Sequence, residues 1–218
     1  MQKAEAGLES FKQFDKHILL LRDPRDRIVS GTLFLPQERK EIYGNKRSLQ
    51  QVLDILYRKE QDPQSVSLLD IIGVILQENL AKTRQIIENL IKRHHSFIFS
   101  FEQSLGEHVK WKYEDMIVGK AGNVEKYLGF NICPGPFDEN GFDHVSRSKT
   151  SGDWRHWFTT EDVAFFAPLM NDYMVNFKYD LCWDLLSCPF IDPDHASAYV
   201  NRTVIRKQEL QKCNLERL

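Results

Sequence analysis

The sequence predicts an α/β fold, a parallel sheet flanked by helices. Two short strand-like segments, the apolar run 17–22 and the alternating run 108–113, each lead into a helix-starting sequence. The length of the first fits a strand buried on both faces, as in a parallel sheet, and each is the strand of a strand-to-helix unit. The length agrees: 218 residues suit one domain of roughly 100–200 residues with an extension.

The first strand is His17-Ile-Leu-Leu-Leu-Arg22. It is a short continuous apolar run, the pattern of a strand buried on both faces. Asp23-Pro24 follows at once, an N-cap residue and a proline suited to the first helical position. The helix so begun has Ile28, Val29, Leu33 and Phe34 for its apolar face and is expected to stop at Pro36. Residues 46–60 read as a helix with Leu49, Val52, Leu53, Leu56 and Tyr57 on one side, broken by Asp62-Pro63. Residues 67–104 carry apolar residues throughout and no proline; the stretch is long for one globular helix and reads as two. Phe97, Phe99 and Phe101 alternate, so a strand is a second reading there.

Residues 108–113, His-Val-Lys-Trp-Lys-Tyr, alternate polar and apolar and form the second strand, ended by Glu114-Asp115. A helix with Val124, Tyr127 and Leu128 follows. Residues 131–152, rich in Gly, Pro, Asn, Asp and Ser, read as a loop. Thr159-Thr160-Glu161-Asp162 opens a helix as a capping box, with Val163, Phe166 and Met170 behind it. Residues 181–193 are irregular, and 194–212 form a polar C-terminal helix.

Charge and composition narrow the function classes. The 29 Lys and Arg against 31 Asp and Glu leave a net charge of −2, which argues against a general nucleic-acid coat. Locally, residues 1–60 carry 12 basic and 9 acidic residues, and residues 153–200 carry 2 basic and 8 acidic. An anion is therefore better sought near the N-terminal segment, though both stretches also suit solvated faces. No apolar run spans a membrane, and the N-terminal residues lack a secretory pattern, so a cytoplasmic protein is expected. Cys133, Cys182, Cys188 and Cys213 have no zinc spacing; Cys182 and Cys188 are close enough in sequence to meet, but in a reducing compartment they are expected to be free thiols. No metal is expected.

Three constellations carry chemistry. In Arg22-Asp-Pro-Arg-Asp-Arg-Ile-Val-Ser30, a strand ending in arginine meets a helix N-terminus, whose unpaired amides and dipole favour an anion. Arg22 offers a bidentate grip and Ser30 a hydroxyl; the same charges also suit pairing among themselves, Asp23 and Asp26 with Arg25 and Arg27. Tyr113-Glu114-Asp115 puts an aromatic ring at a strand end, suited to an adenine or simply to a sheet edge. Arg147-Ser-Lys-Thr-Ser-Gly-Asp-Trp154 sets two cations, three hydroxyls and a glycine in a loop. It suits a phosphate grip, or a polar loop anchored to the core by Trp154 and Trp157. Of the histidines, His94 and His95 sit on a helix, His144 and His156 flank the Arg147 loop, and His17 starts the first strand. None of these settings marks a catalytic group.

Taken in order, these segments resemble the sulfotransferases that use 3′-phosphoadenosine 5′-phosphosulfate (PAPS). That family has an Arg-x-Pro-(Lys/Arg)-Asp strand end with a serine eight residues after the Arg, matched by Arg22 and Ser30. It has a Tyr-Glu-Asp strand end, matched by Tyr113, and an Arg-rich loop ending in Gly-Asp-Trp before Phe-Thr and a helix. Arg147 to Trp154 and Phe158-Thr159 match that loop. The resemblance covers residues 16–180. It implies that Arg22, Ser30 and Arg147 hold the donor's 3′-phosphate, with Tyr113 near the adenine. Lys149 supplies a cation from a position shifted against the family's Lys-Gly. The implied reaction moves a sulfuryl group from PAPS to a hydroxyl or amine of a small molecule or glycan, without a metal.

The chain departs from the family at its N-terminus. The family's first strand, phosphosulfate-binding loop and helix, and its catalytic base, precede the Arg-x-Pro motif. The 21 residues before Arg22 contain no such loop, and Val-Gly119-Lys120-Ala-Gly reads as a helix connection. The expected fold is thus the sulfotransferase, P-loop nucleoside-kinase-like, fold with its first strand-loop-helix unit missing. Residues 1–180 would be the partial domain and 181–218 an extension ending in a polar helix. The catalytic residues stay unknown, and a noncatalytic nucleotide-binding or interaction module derived from a sulfotransferase is the alternative.

Overall fold

The computed structural model describes residues 13–132, 147–148 and 150–215, with side chains to residue 212. Its contacts divide the chain into two units, residues 1–23 with 89–137, and residues 24–88 with 138–218. The architecture is helix-rich α/β with a small parallel sheet.

The first unit holds the sheet. Strand β1 (Ile18–Leu21) pairs in parallel with β2 (Val109–Lys112), with Ile18 opposite Val109 and Leu21 opposite Lys112. Among the described residues only one face of β1 is covered: Leu19 and Leu21 are buried, whereas Ile18 and Leu20 are exposed. This corrects the expectation of a strand buried on both faces. A run of four leucine-like residues cannot by itself tell one covered face from two. Helix α6 (Tyr113–Ile117) starts where β2 ends, so Tyr113 belongs to the helix and not to the strand. Helix α7 (Gly122–Leu128) closes at Gly129, whose φ of 84° is the left-handed cap that glycine adopts without strain. Tyr127 ties this unit together. Its hydroxyl accepts from the His17 amide at 3.1 Å and donates to the Glu107 carbonyl at 2.9 Å.

The second unit is built from helices. They are α1 (Pro24–Glu38), α2 (Lys40–Tyr43), α3 (Lys46–Gln61), α4 (Leu68–Leu76), α8 (Trp154–Trp157), α9 (Thr160–Asn176) and α10 (Ser197–Leu215), with a 3-10 turn at Pro193–His195. Helix α5 (Leu80–Ser104) gives residues 80–88 to this unit and the rest to the first. The break at residues 77–79 makes two helices of 67–104, as the length argument requires, and Phe97, Phe99 and Phe101 are helical.

The core of the second unit comes from Val29 and Leu33 of α1, Val52 and Leu56 of α3, and Leu68, Leu69, Ile71, Ile72 and Ile75 of α4. Phe166, Met170 and Met174 of α9 and Val200 and Val204 of α10 complete it. Two expectations need correction. Helix α1 runs past Pro36 to Glu38; proline removes one backbone donor, and here Leu33, Pro36 and Gln37 are all buried, so packing carries the last turn. The buried face of α3 takes in Ser48 and Lys59, while Tyr57 is exposed. The Lys59 ammonium donates to the carbonyls of Pro63 and Val66, both at 2.5 Å, which lets it enter the core. The C-terminal helix is polar only in part: Tyr199, Val200, Thr203 and Val204 are buried, and α10 packs on α1 and α3.

Candidate functional site

In the first unit the parallel register decides the geometry. Leu21 faces Lys112 across the ladder, so the residues that follow, Arg22 and Tyr113, emerge side by side at the C-terminal ends of the strands. That is where parallel sheets commonly place ligands. The Arg22 guanidinium lies 4.4 Å from the centre of the Tyr113 ring, a cation–π distance. The Asp23 amide donates to Glu114 Oε1 at 2.8 Å. Arg22 and the Tyr-Glu pair, distant in sequence, are thus one cluster, with Arg22 on the ring that the resemblance assigns to an adenine.

In the second unit the start of α1 meets the Gly152-Asp153-Trp154 segment. Asp26 is buried and accepts from the amides of Gly152 at 2.6 Å and Trp154 at 2.9 Å. Gly152 has a φ of 82°, a conformation natural to glycine. Arg25 is also buried. Its guanidinium lies 4.3 Å from the Trp154 ring and 5.2 Å from the Trp183 ring, and its Nη1 donates to the Cys182 carbonyl at 2.6 Å. Arg155 lies 4.6 Å from the Trp154 ring. The Trp154 side chain is fully buried, and its Nε1 has no acceptor among the described residues. Ser30, half-buried, follows Asp26 by one turn of α1.

Arg147 lies in the same unit. Its side chain is 5% exposed, Nη2 pairs with the Asp153 carboxylate, and Nη1 donates to the His195 carbonyl at 3.5 Å. Nearby Tyr199 is pushed up from its ordinary pKa by burial, against the pull of Arg147 and Arg202. Lys149 and residues 133–146, with His144, lie outside the described residues.

Comparison with known proteins finds a distant likeness. The chain is 24% identical over 179 residues to a 3-alpha-hydroxysteroid sulfotransferase of Cavia porcellus. The similarity takes in 77% of this chain, and the chain spans 58% of that relative's length. No family model matches, and no solved structure matches. The likeness supports kinship with sulfotransferases weakly and at family level.

Arg22 in the first unit, and Ser30 and Arg147 in the second, are cationic or hydroxylic residue types that can each bind an anion. Among the described residues no group of His, Cys, Asp or Glu is placed to hold a metal, and no helix is long and apolar enough to cross a membrane. Cys182 and Cys188 are free thiols. Sequence reasoning missed Trp183 and the roles of Asp26 and Asp153. Trp183 sits in an irregular segment where periodicity has no purchase. Asp26 had a signal, a carboxylate two residues after a helix-starting proline, but its partners lie 126 and 128 residues away.

Proposed function

We propose that the protein is a sulfotransferase that moves a sulfuryl group from PAPS to a hydroxyl or amine of a small-molecule acceptor. The observation that carries this reading is the pairing of Arg22 with Tyr113 at the ends of two parallel strands. The order of the three motifs and the sulfotransferase relative support it. In this reading Arg22, Ser30, Arg147 and Lys149 bind the donor's 3′-phosphate end and Tyr113 lies at its adenine. When bound, PAPS supplies the sulfuryl group. The chain's own residues supply charge and orientation, which lower the barrier by holding the reactants in line.

The test is titration calorimetry with 3′-phosphoadenosine 5′-phosphate. The wild-type chain is expected to bind and Arg22→Ala to bind about 10–150-fold more weakly, the loss of one charge-assisted pair. No binding by the wild type overturns the reading; equal binding by both removes Arg22 from it. Transfer of labelled sulfate from PAPS to a hydroxysteroid then separates an enzyme from a noncatalytic nucleotide-binding module.

A further inference from the structure

The Arg147–Asp153 pair has a feature that packing does not require. Asp153 immediately precedes α8, where an aspartate ordinarily turns its carboxylate onto the first amides of the helix. Here it makes no such bond. The amides of Gly152 and Trp154 go to Asp26, and those of Arg155 and His156 go to the carbonyls of Gly152 and Asp153. The Asp153 carboxylate is turned instead onto Arg147.

Arg147 is arranged to match. It is held at Nη2 by Asp153 and at Nη1 by the His195 carbonyl, and its buried Nε has no acceptor among the described residues. A carboxylate and a phosphate use the same planar donors of a guanidinium. A phosphate therefore cannot engage the Nη2 edge of Arg147 while Asp153 occupies it. Of the two partners Asp153 is the more exposed: its side chain is 20% exposed against 5% for Arg147, so water can receive the released carboxylate.

We infer that Asp153 is an internal stand-in for phosphate on Arg147, a closed latch that the donor's 3′-phosphate displaces when it binds. This rests on the donor reading of the site. Asp153 sets the affinity of Arg147 without touching the sulfuryl group. Binding is weakened by the fraction of molecules in which the latch is shut, and removing the competing charge strengthens it.

The experiment titrates 3′-phosphoadenosine 5′-phosphate into the wild type, Asp153→Asn, Asp153→Glu and Arg147→Ala, with a thermal melt of each. Asp153→Asn is expected to bind about five- to tenfold more tightly, because a neutral acceptor holds a guanidinium less strongly than a carboxylate. Asp153→Glu should stay near the wild type, and Arg147→Ala should bind more weakly than either. A merely structural role for Asp153 moves affinity the other way, so the sign decides. If Asp153→Asn melts like the wild type and binds equally or more weakly, the latch is wrong while the donor reading stands. If Arg147→Ala binds as the wild type does, the phosphate never meets Arg147 and the latch is again wrong. If the wild type does not bind, the donor reading falls and the latch with it. Asp153→Ser removes the same charge and repeats the test should the asparagine variant fail to fold.

Discussion

Asp26 shows how much one buried carboxylate can carry. It sits in the Arg-Asp-Pro-Arg-Asp motif, yet it accepts two amides of the Gly-Asp-Trp segment. Asp26→Ala leaves those amides without that acceptor and is expected to cost about 2–4 kcal/mol, near the loss of a hydrogen-bonded buried charge. Asp26→Asn, which keeps one acceptor oxygen, should fall between; urea unfolding measures both. Lys59 makes a second residue-level case. Burial lowers its pKa from 10.5 to about 8, with Asp162, Asp62 and Asp70 pulling the other way. The unfolded chain therefore holds this proton more tightly than the folded one. The penalty for burying the charge is complete below pH 8 and fades as pH rises from about 8 towards 10.5. Relative to Lys59→Met, the wild type should gain about 1 kcal/mol between pH 7 and 9. Urea titrations at the two pH values check this, and a difference that shrinks or does not move would contradict the assignment.

At the scale of elements, Asp162 joins two helices. It closes the capping box of α9 with Thr159, and it accepts the amides of Leu68 at 2.9 Å and Leu69 at 3.1 Å from the first turn of α4. Burial raises its pKa, the bonds from Leu68, Thr159 and Leu69 opposing the rise. Asp162→Ala should destabilise by about 3–5 kcal/mol, because it orphans the starts of two helices and removes a charge facing Lys59. A melt matching that of Ser67→Ala, which breaks the capping box of α4 only, would show that the link between helices carries little. The box itself was legible in Thr159-Thr160-Glu161-Asp162, since a capping box is local chemistry. Its second duty was not, because Leu68 and Leu69 lie more than ninety residues away. The same division explains the other elements. Both strands, the Pro24 start of α1 and the break within residues 67–104 follow from neighbours in the chain. The passage of α1 through Pro36, the buried Lys59 and the bare face of β1 depend on what packs against them.

Across the whole molecule, the two units differ in what holds them. The candidate site was legible where it sits at strand ends, as with Arg22 and Tyr113. It was not legible where it depends on tertiary partners, as with Asp153 on Arg147 or Trp183 on Arg25. Trp154 and Trp157 do anchor their segment in the core, as the plainer reading of that loop had it. The two units also bury their elements unequally. Helix α4 turns its apolar face inward, with Leu68, Leu69, Ile71, Ile72 and Ile75 at 1% exposure or less and Asp70 exposed. Strand β1 leaves Ile18 at 38% and Leu20 at 52% exposure and has one pairing partner, β2, among the described residues. Local opening is easiest where few apolar contacts must break, and a two-stranded sheet is marginal unless other elements cover it. Hydrogen exchange should therefore find the amides of Ile71, Ile72 and Ile75 among the slowest in the chain. Those of Leu19 and Leu21 should exchange at least about tenfold faster, although both side chains are buried. Protection of β1 equal to that of α4 would mean that the sheet opens only with the unfolding of the whole chain, and that the exposed face of β1 is covered in solution.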